Sequence, residues 1–238
     1  MSVIKIAPTA DEVSAPEATA GTPTLIDVGT FQCAPVSVRR VQYVVKRVVD
    51  ILLASLGLVL LSPILLGIIV AVKLSSPGAA FFSQERLGMC GRRFKLYKFR
   101  TMTNGAAQRA DEVFHLNHAN GPLFKARDDP RVTRVGKLLR RSFMDELPQL
   151  INVLRGDMSL VGPRPCLPTE AAHMEEHVSF RFAVPQGLTG PWQANGHHAL
   201  TFDEQMRVER EYVQSWSLGK DLRILLRTIP LVLRRAGL

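Results

Sequence analysis

The residues best suited to chemistry in this chain are an adjacent carboxylate pair, Asp145 and Glu146, set among cations. Arg131, Arg134, Lys137, Arg140, Arg141 and Arg164 all lie close to the pair in sequence. Two carboxylates among arginines suit phosphoryl chemistry. A hard divalent cation such as Mg²⁺ takes oxygen ligands, and guanidinium groups bind phosphate oxygens in bidentate fashion. The same pair has a plain structural use, because carboxylates at a helix start cap free N–H groups and favour the helix dipole. On the pair alone both readings stay open. A second constellation, His173-Met174-Glu175-Glu176-His177, matches the H-x-x-E-H pattern of some zinc peptidases. Its two histidines share a helix face, but no third ligand stands out, so zinc is not expected. No P-loop and no glycine-rich dinucleotide turn is present, so a nucleotide would be held by another device.

The elements that must position the pair follow from the surrounding pattern. Leu138, Leu139, Phe143, Leu147, Leu150, Ile151 and Leu154 recur at helical spacing. Pro148 interrupts one straight helix. It predicts instead a second helix that starts near Asp145, carries Pro148 in its first turn and ends before Gly156. Upstream, FFSQERLGMCGRRFKLYKFRTM (81–102) predicts two short strands around a turn from Gly88 to Gly91. The polar stretch from Thr103 to Asn120 reads as partly helical, and Glu170 to Arg181 as an exposed helix. Near the C-terminus, Leu222, Leu225, Leu226, Ile229 and Leu233 alternate with Lys220, Arg223, Arg227, Arg234 and Arg235. That is a basic amphipathic helix, suited to an anionic membrane surface or, in the structural alternative, to packing on the domain core.

The apolar residues are concentrated in one block, Ile51 to Val72, which is 22 residues without a charge. That is long enough to cross roughly 30 Å of hydrocarbon. Its midpoint, however, is Ser62-Pro63. Proline removes a backbone hydrogen bond and kinks a helix, and a serine hydroxyl can cover the freed carbonyl. Both flanks are basic as well: Arg39, Arg40, Lys46 and Arg47 precede the block, and Lys73, Arg86, Arg92 and Arg93 follow it. Positive flanks belong in the cytoplasm, and a spanning helix cannot place both there. Two arms of about 10 residues, each rising about 15 Å, reach the bilayer midplane and return. The expectation is a re-entrant helical hairpin broken at Ser62 and Pro63.

Residues 1–38 have no sustained period and a composition that reads as a disordered tail. The net charge of +9 implies an anionic partner. Anionic membrane lipids and a pyrophosphate substrate both fit. Nucleic acid does not, since the embedded apolar block argues against it. Cys33, Cys90 and Cys166 are far apart and odd in number, which suggests neither a zinc site nor a disulfide framework and fits a reduced, cytosol-facing location.

Six strings then point to a family. KRVVD (46–50), the apolar block with LSP (61–63), FFSQERLG (81–88), FKLYKFRTM (94–102), DPRVTRVGKLLRRSFMDELPQLINVLRGDMSLVGPRP (129–165) and GLTGPWQANG (187–196) resemble the bacterial sugar transferases. More narrowly, the chain resembles the small monotopic polyprenyl-phosphate phosphoglycosyl transferases, in order from about Lys46 to Leu233. The resemblance implies a mainly α fold with few short strands. A re-entrant membrane hairpin (39–75) would anchor an interfacial catalytic domain (76–238) on the cytoplasmic face of the bacterial inner membrane. It implies transfer of a sugar-1-phosphate from a UDP-sugar to undecaprenyl (polyprenyl) phosphate, with release of UMP. Carried onto this chain, Asp145 is the nucleophile and Glu146 contributes to binding of Mg²⁺. Arg164, Lys98 and Arg100 are candidates for phosphate or nucleotide contact, with Arg131 beside them. A carboxylate nucleophile at phosphorus has precedent in aspartyl-phosphate enzymes. A homo-oligomer is compatible with the resemblance. The chain departs from the family where Val184-Pro185-Gln186-Gly187 carries an extra residue, where His197 replaces an arginine, and where Glu209 stands for an aspartate. These departures bear on substrate identity more than on reaction type. A catalytically silent membrane scaffold of polysaccharide assembly is the alternative, and an intact Asp145-Glu146 pair argues against it.

Overall fold

The computed structural model describes residues 40–106, 108–109, 113, 129–172, 179–195 and 200–233. The expectations for the N-terminal tail, most of the polar stretch after Thr103, and the histidines of the H-x-x-E-H pattern lie outside these residues. The fold is mostly helical with few short strands. One long helix, α1 (Arg40–Ser75), leads into an antiparallel hairpin of β1 (Phe81–Leu87) and β2 (Arg93–Phe99). Then come α2 (Arg134–Arg141), α3 (Gln149–Arg155), β3 (Ser159–Val161), α4 (Pro168–Ala172) and β4 (Gly187–Thr189). The chain closes with α5 (Phe202–Gln214) and α6 (Leu218–Leu233).

The hairpin follows the sequence expectation. Phe81 pairs with Phe99 and Leu87 with Arg93, and the connection turns through Cys90 and Gly91, both at positive φ. In the second sheet β3 and β4 run parallel, and their backbones approach closely at glycines. A Cβ on Gly187 would fall 2.0 Å from the Gly162 nitrogen, and one on Gly162 would fall 2.2 Å from the Pro185 oxygen. No larger residue fits either position. Cys166 is a buried free thiol, whereas Cys90 is disulfide-bonded, so the expectation of unpaired cysteines fails for Cys90.

The long helix α1 is long and apolar enough to cross a membrane, and only 11% of its most apolar window is buried. It is therefore no core helix of a water-soluble domain, and the chain is membrane-associated. The helix runs through Pro63 without a gap, where the sequence had suggested a break. Proline leaves the carbonyl of Val59 without its helical donor. Ser62 Oγ donates to that carbonyl at 2.8 Å, so the ladder is mended from the side.

Both ends of α1 are gripped by the rest of the chain. Near its start, Lys46 Nζ donates to Val161 O and to Asp221 Oδ2, at 2.9 and 2.6 Å. Arg47 reaches the carbonyls of Val153 and Leu154, and Asp50 accepts from Leu160 N. Near its end, Arg100 donates to the carbonyls of Val72, Ser76 and Pro77. Ala54 joins a core cluster with Leu150, Val153, Leu160 and Ile224, while Ile68 and Val72 join a second with Ala80, Phe99 and Leu139. The middle stands away from these contacts: Val59 is 70% exposed and Leu60 66%.

In α6 the packing on the domain core that the sequence offered as an alternative is present on one face. Asp221 and Ile224 are buried against the core, while Leu222, Leu226 and Ile229 on the other side are exposed.

Candidate active site

Asp145 and Glu146 lie on a 3₁₀ turn, Met144–Glu146, between α2 and α3. The chain enters it through Phe143 at φ 56°, a left-handed conformation that a bulky side chain rarely adopts. Such strain, about 1–3 kcal/mol, persists only where the surroundings hold it. The sequence had placed the pair in the first turn of one helix with Pro148. Instead α3 begins after Pro148, with no side-chain cap at its N-terminus, and ends at Gly156 in the left-handed conformation. The pair does not cap α3, which leaves its carboxylates available for other partners.

Those partners come from three elements. Lys98, near the end of β2, donates to Glu146 Oε1 at 2.6 Å and stands 3.9 Å from Asp145 Oδ2. Arg164, after β3, places Nη1 3.8 Å from Glu146 Oε1. Arg140, on α2, donates through Nε to Thr101 Oγ1 at 3.0 Å, and its charge acts on Asp145. The strand that carries Lys98 is braced by Asn152, which is fully buried on α3. Asn152 donates to Lys95 O and accepts from Tyr97 N, so its amide pairs with β2 as a neighbouring strand would.

A groove runs past the pair, lined by Arg86, Leu96, Lys98, Glu146, Gln149, Arg164, Pro165, Gly187 and Leu188. Asp145 itself is nearly enclosed. Burial raises its carboxyl to about 6; Lys98 opposes that rise, Glu146 adds to it, and Arg140 and Arg164 oppose it. At neutral pH the group is still mostly ionised, yet it is poorly solvated. A weakly hydrated carboxylate is a better nucleophile than one in water. Burial also lowers the Arg86 guanidinium from its usual range, and the neighbouring charge of Arg164 adds to the effect. Two arginines lining one groove favour an anion with more than one charge.

Of the residues singled out from sequence, the structure brings Asp145, Glu146, Lys98 and Arg164 together. It turns two others elsewhere. Arg100 binds the carbonyls at the end of α1, because it stands just past the end of β2 and no longer follows the strand's alternation. Arg131 lies buried against Asp129, with Nη2 at 2.6 Å from Oδ2, and donates to Ala106 O. That pairing holds the Asp129 carboxyl below its usual range. Gln149 lines the groove without having been singled out, while Arg86 had been read only as a flank of the apolar block and Arg140 only as one of six cations near the pair. Nothing local distinguishes Arg140 from Arg141; only the helix phase, with Gly136 and Leu139 on the buried face, separates them.

Magnesium fits this donor set. Among the described residues no group of three or more His, Cys, Asp or Glu side chains comes together. The ion characteristically takes one or two carboxylates and completes its shell with substrate phosphates and water. Glu146 and Asp145, on one turn beside a groove rich in cations, offer that minimal set.

Comparison with known proteins places this geometry in a lineage. Residues 41–235 match the model of the family described as bacterial sugar transferase. The exopolysaccharide production protein ExoY of Rhizobium meliloti is 40% identical over 205 residues, covering 84% of this chain and 91% of that protein. A UDP-glucose:undecaprenyl-phosphate glucose-1-phosphate transferase of Caulobacter vibrioides is 42% identical over 198 residues, 79% of this chain and 69% of that one. An undecaprenyl-phosphate galactose phosphotransferase of Salmonella typhimurium is 36% identical over 200 residues, 81% of this chain. This chain spans 41% of the Salmonella protein and 42% of an uncharacterized sugar transferase of Haemophilus influenzae.

Proposed function

The chain belongs to the bacterial sugar transferase family, and on that premise we propose that it moves a sugar-1-phosphate from a UDP-sugar to undecaprenyl (polyprenyl) phosphate. The observation that carries this reading is the nearly enclosed Asp145 next to Glu146, Lys98 and Arg164, the last three of which line one groove. An Asp145 oxygen attacks the sugar-bearing phosphorus of the donor, and the bond to the bridging oxygen breaks. UMP departs with that oxygen and its electron pair, and the sugar phosphate stays on Asp145 as an acyl phosphate. A polyprenyl phosphate oxygen then attacks the same phosphorus, and the Asp145 carboxylate is released unchanged. Neither attack requires a general base, since both nucleophiles are anions.

The remaining side chains divide the charge. Arg164 and Arg86 face the donor's diphosphate, and Lys98 holds Glu146 and tempers the Asp145 carboxylate. Glu146 would hold Mg²⁺ together with the donor phosphates; when bound, the ion neutralises charge on the departing UMP. The acceptor is a lipid, which sets where the reaction takes place. A helix that crossed the bilayer could hold a globular domain at one end only, with about 30 Å of hydrocarbon before the other. Here one domain grips both ends of α1, at Lys46 and at Val72, and the apolar middle projects. This supports a re-entrant anchor, residues 39–75, dipping into the inner membrane from the cytoplasmic face. The exposed leucines of α6, with Arg223 and Arg227, suit the anionic surface around it.

The test is mass spectrometry of the protein after incubation with a panel of UDP-sugars and no lipid acceptor. Wild type gains one sugar phosphate on the peptide that contains Asp145, with UMP released; Asp145→Asn gains none. An adduct that survives in the Asn variant places the nucleophile elsewhere and sinks the reading. The same panel identifies the sugar.

A further inference from the structure

Against the backbone of Arg164 lies a buried ion pair that the reaction just described does not use. Glu209, on α5, is 0% exposed, and its Oε2 stands 2.6 Å from Arg181 Nε. A buried ion pair is a weak source of stability, since apolar side chains of similar volume often replace it without loss. What apolar side chains could not do is hold both backbone polar atoms of one residue. Here Glu209 Oε1 accepts from Arg164 N at 3.3 Å, and Arg181 Nη2 donates to Arg164 O at 2.7 Å. Trp192 Nε1 donates to the same Glu209 oxygen at 2.9 Å and fixes the carboxylate's rotation. Pro163 and Pro165 flank the gripped residue, locking their own φ and confining Arg164 to extended backbone.

The Arg164 backbone is therefore immobilised from four directions, while its side chain is 42% exposed and turned toward Glu146. We propose that Glu209 is a positioning residue for donor binding: with Arg181 it clamps the Arg164 backbone on both sides of its Cα, so that the guanidinium meets the donor diphosphate without first being ordered. The proposal rests on the reading of Arg164 as a phosphate contact. Its physical content is pre-organisation, in which a side chain held from a fixed base loses less freedom on binding.

Because a structural role would also make Glu209 sensitive to substitution, the test is a coupling measurement on the full chain in detergent or liposomes. Glu209→Gln, Arg164→Ala and the double variant are compared by UMP release from UDP-glucose and UDP-galactose, and their folding by thermal unfolding. If Glu209 acts through Arg164, Glu209→Gln lowers kcat/KM about tenfold or more in the wild-type background and adds almost nothing once Arg164 is alanine. Trp192→Phe, which keeps the ring bulk and removes the N–H, shows the same pattern with a loss of about threefold. It carries the measurement if Glu209→Gln does not fold. Losses that multiply undiminished in the Arg164→Ala background overturn the clamp and leave Glu209 a structural residue. If Arg164→Ala alone leaves kcat and KM unchanged, the phosphate contact itself fails. That result is visible in the single variant, before any coupling is calculated.

Discussion

At the scale of single residues, the carboxyl of Asp145 connects pH, stability and rate. Its value of about 6 lies above the roughly 3.9 of a solvated aspartate. Ionising it is thus harder in the folded protein, and its stabilising contribution is complete below about pH 4 and lost as pH rises through about 6. Asp145→Asn should accordingly unfold at higher temperature than wild type above pH 7, by about 1–3 kcal/mol, with the difference vanishing near pH 4. A helix-capping role predicts the opposite sign, a loss of about 1 kcal/mol. The rate follows the same group: kcat/KM should fall tenfold per pH unit below about 6. Lys98 opposes the rise in Asp145, so Lys98→Met should move that inflection upward, measurable as a displaced acid limb in UMP release. Asp145, Glu146 and Arg164 stood out by residue type and spacing and Lys98 only through the resemblance, and the structure brings the four together. The directions of Arg100 and Arg131 were not legible in sequence. Spacing reports which residues are near, whereas a guanidinium's aim depends on the nearest uncovered carbonyl or carboxylate, and those came from α1 and Asp129.

At the scale of elements, hydrophobic period and turn residues located α2, α3, the β1–β2 hairpin and α6 from sequence, because each depends on neighbours within a few positions. The 3₁₀ turn under the carboxylates escaped, since its cause is the left-handed Phe143, and no local residue preference announces that conformation. The lateral bond between α3 and β2 escaped too. Asn152 reads as an ordinary polar helix residue, but it replaces a missing strand partner across 57 positions of sequence. Asn152→Ala would leave the part-buried Tyr97 N–H and Lys95 carbonyl without this partner, at about 0.5–1.5 kcal/mol for each hydrogen bond lost. The expected result is a clear drop in unfolding temperature together with slower transfer, because β2 carries Lys98. Asn152→Asp tests the detail: it keeps the acceptor for Tyr97 N, loses the donor, and should fall between wild type and alanine.

At the scale of the whole molecule, the sequence pattern indicated a membrane anchor with both ends on one side, through its basic flanks and central proline. The continuity of the helix through Pro63 was not legible, because the repair by Ser62 Oγ depends on its rotamer. The topology itself makes a direct prediction. In a cysteine-free background, single cysteines placed near Arg40 and near Gly78 should both resist a reagent confined to the periplasm and both react from the cytoplasm. Labelling of one end from outside would show a spanning helix.

The bond between Lys46 and Asp221 has a consequence for how the chain is made. Its partners stand 175 positions apart, and Tyr212 and Trp216 donate to the same Asp221 carboxylate. A ribosome adds about 5–20 residues per second, so the anchor emerges roughly ten to thirty seconds before the group that neutralises its lysine. Through that interval Lys46 lacks the carboxylate that it pairs with in the folded chain. The grip on the start of α1 is therefore completed only after α6 has been made.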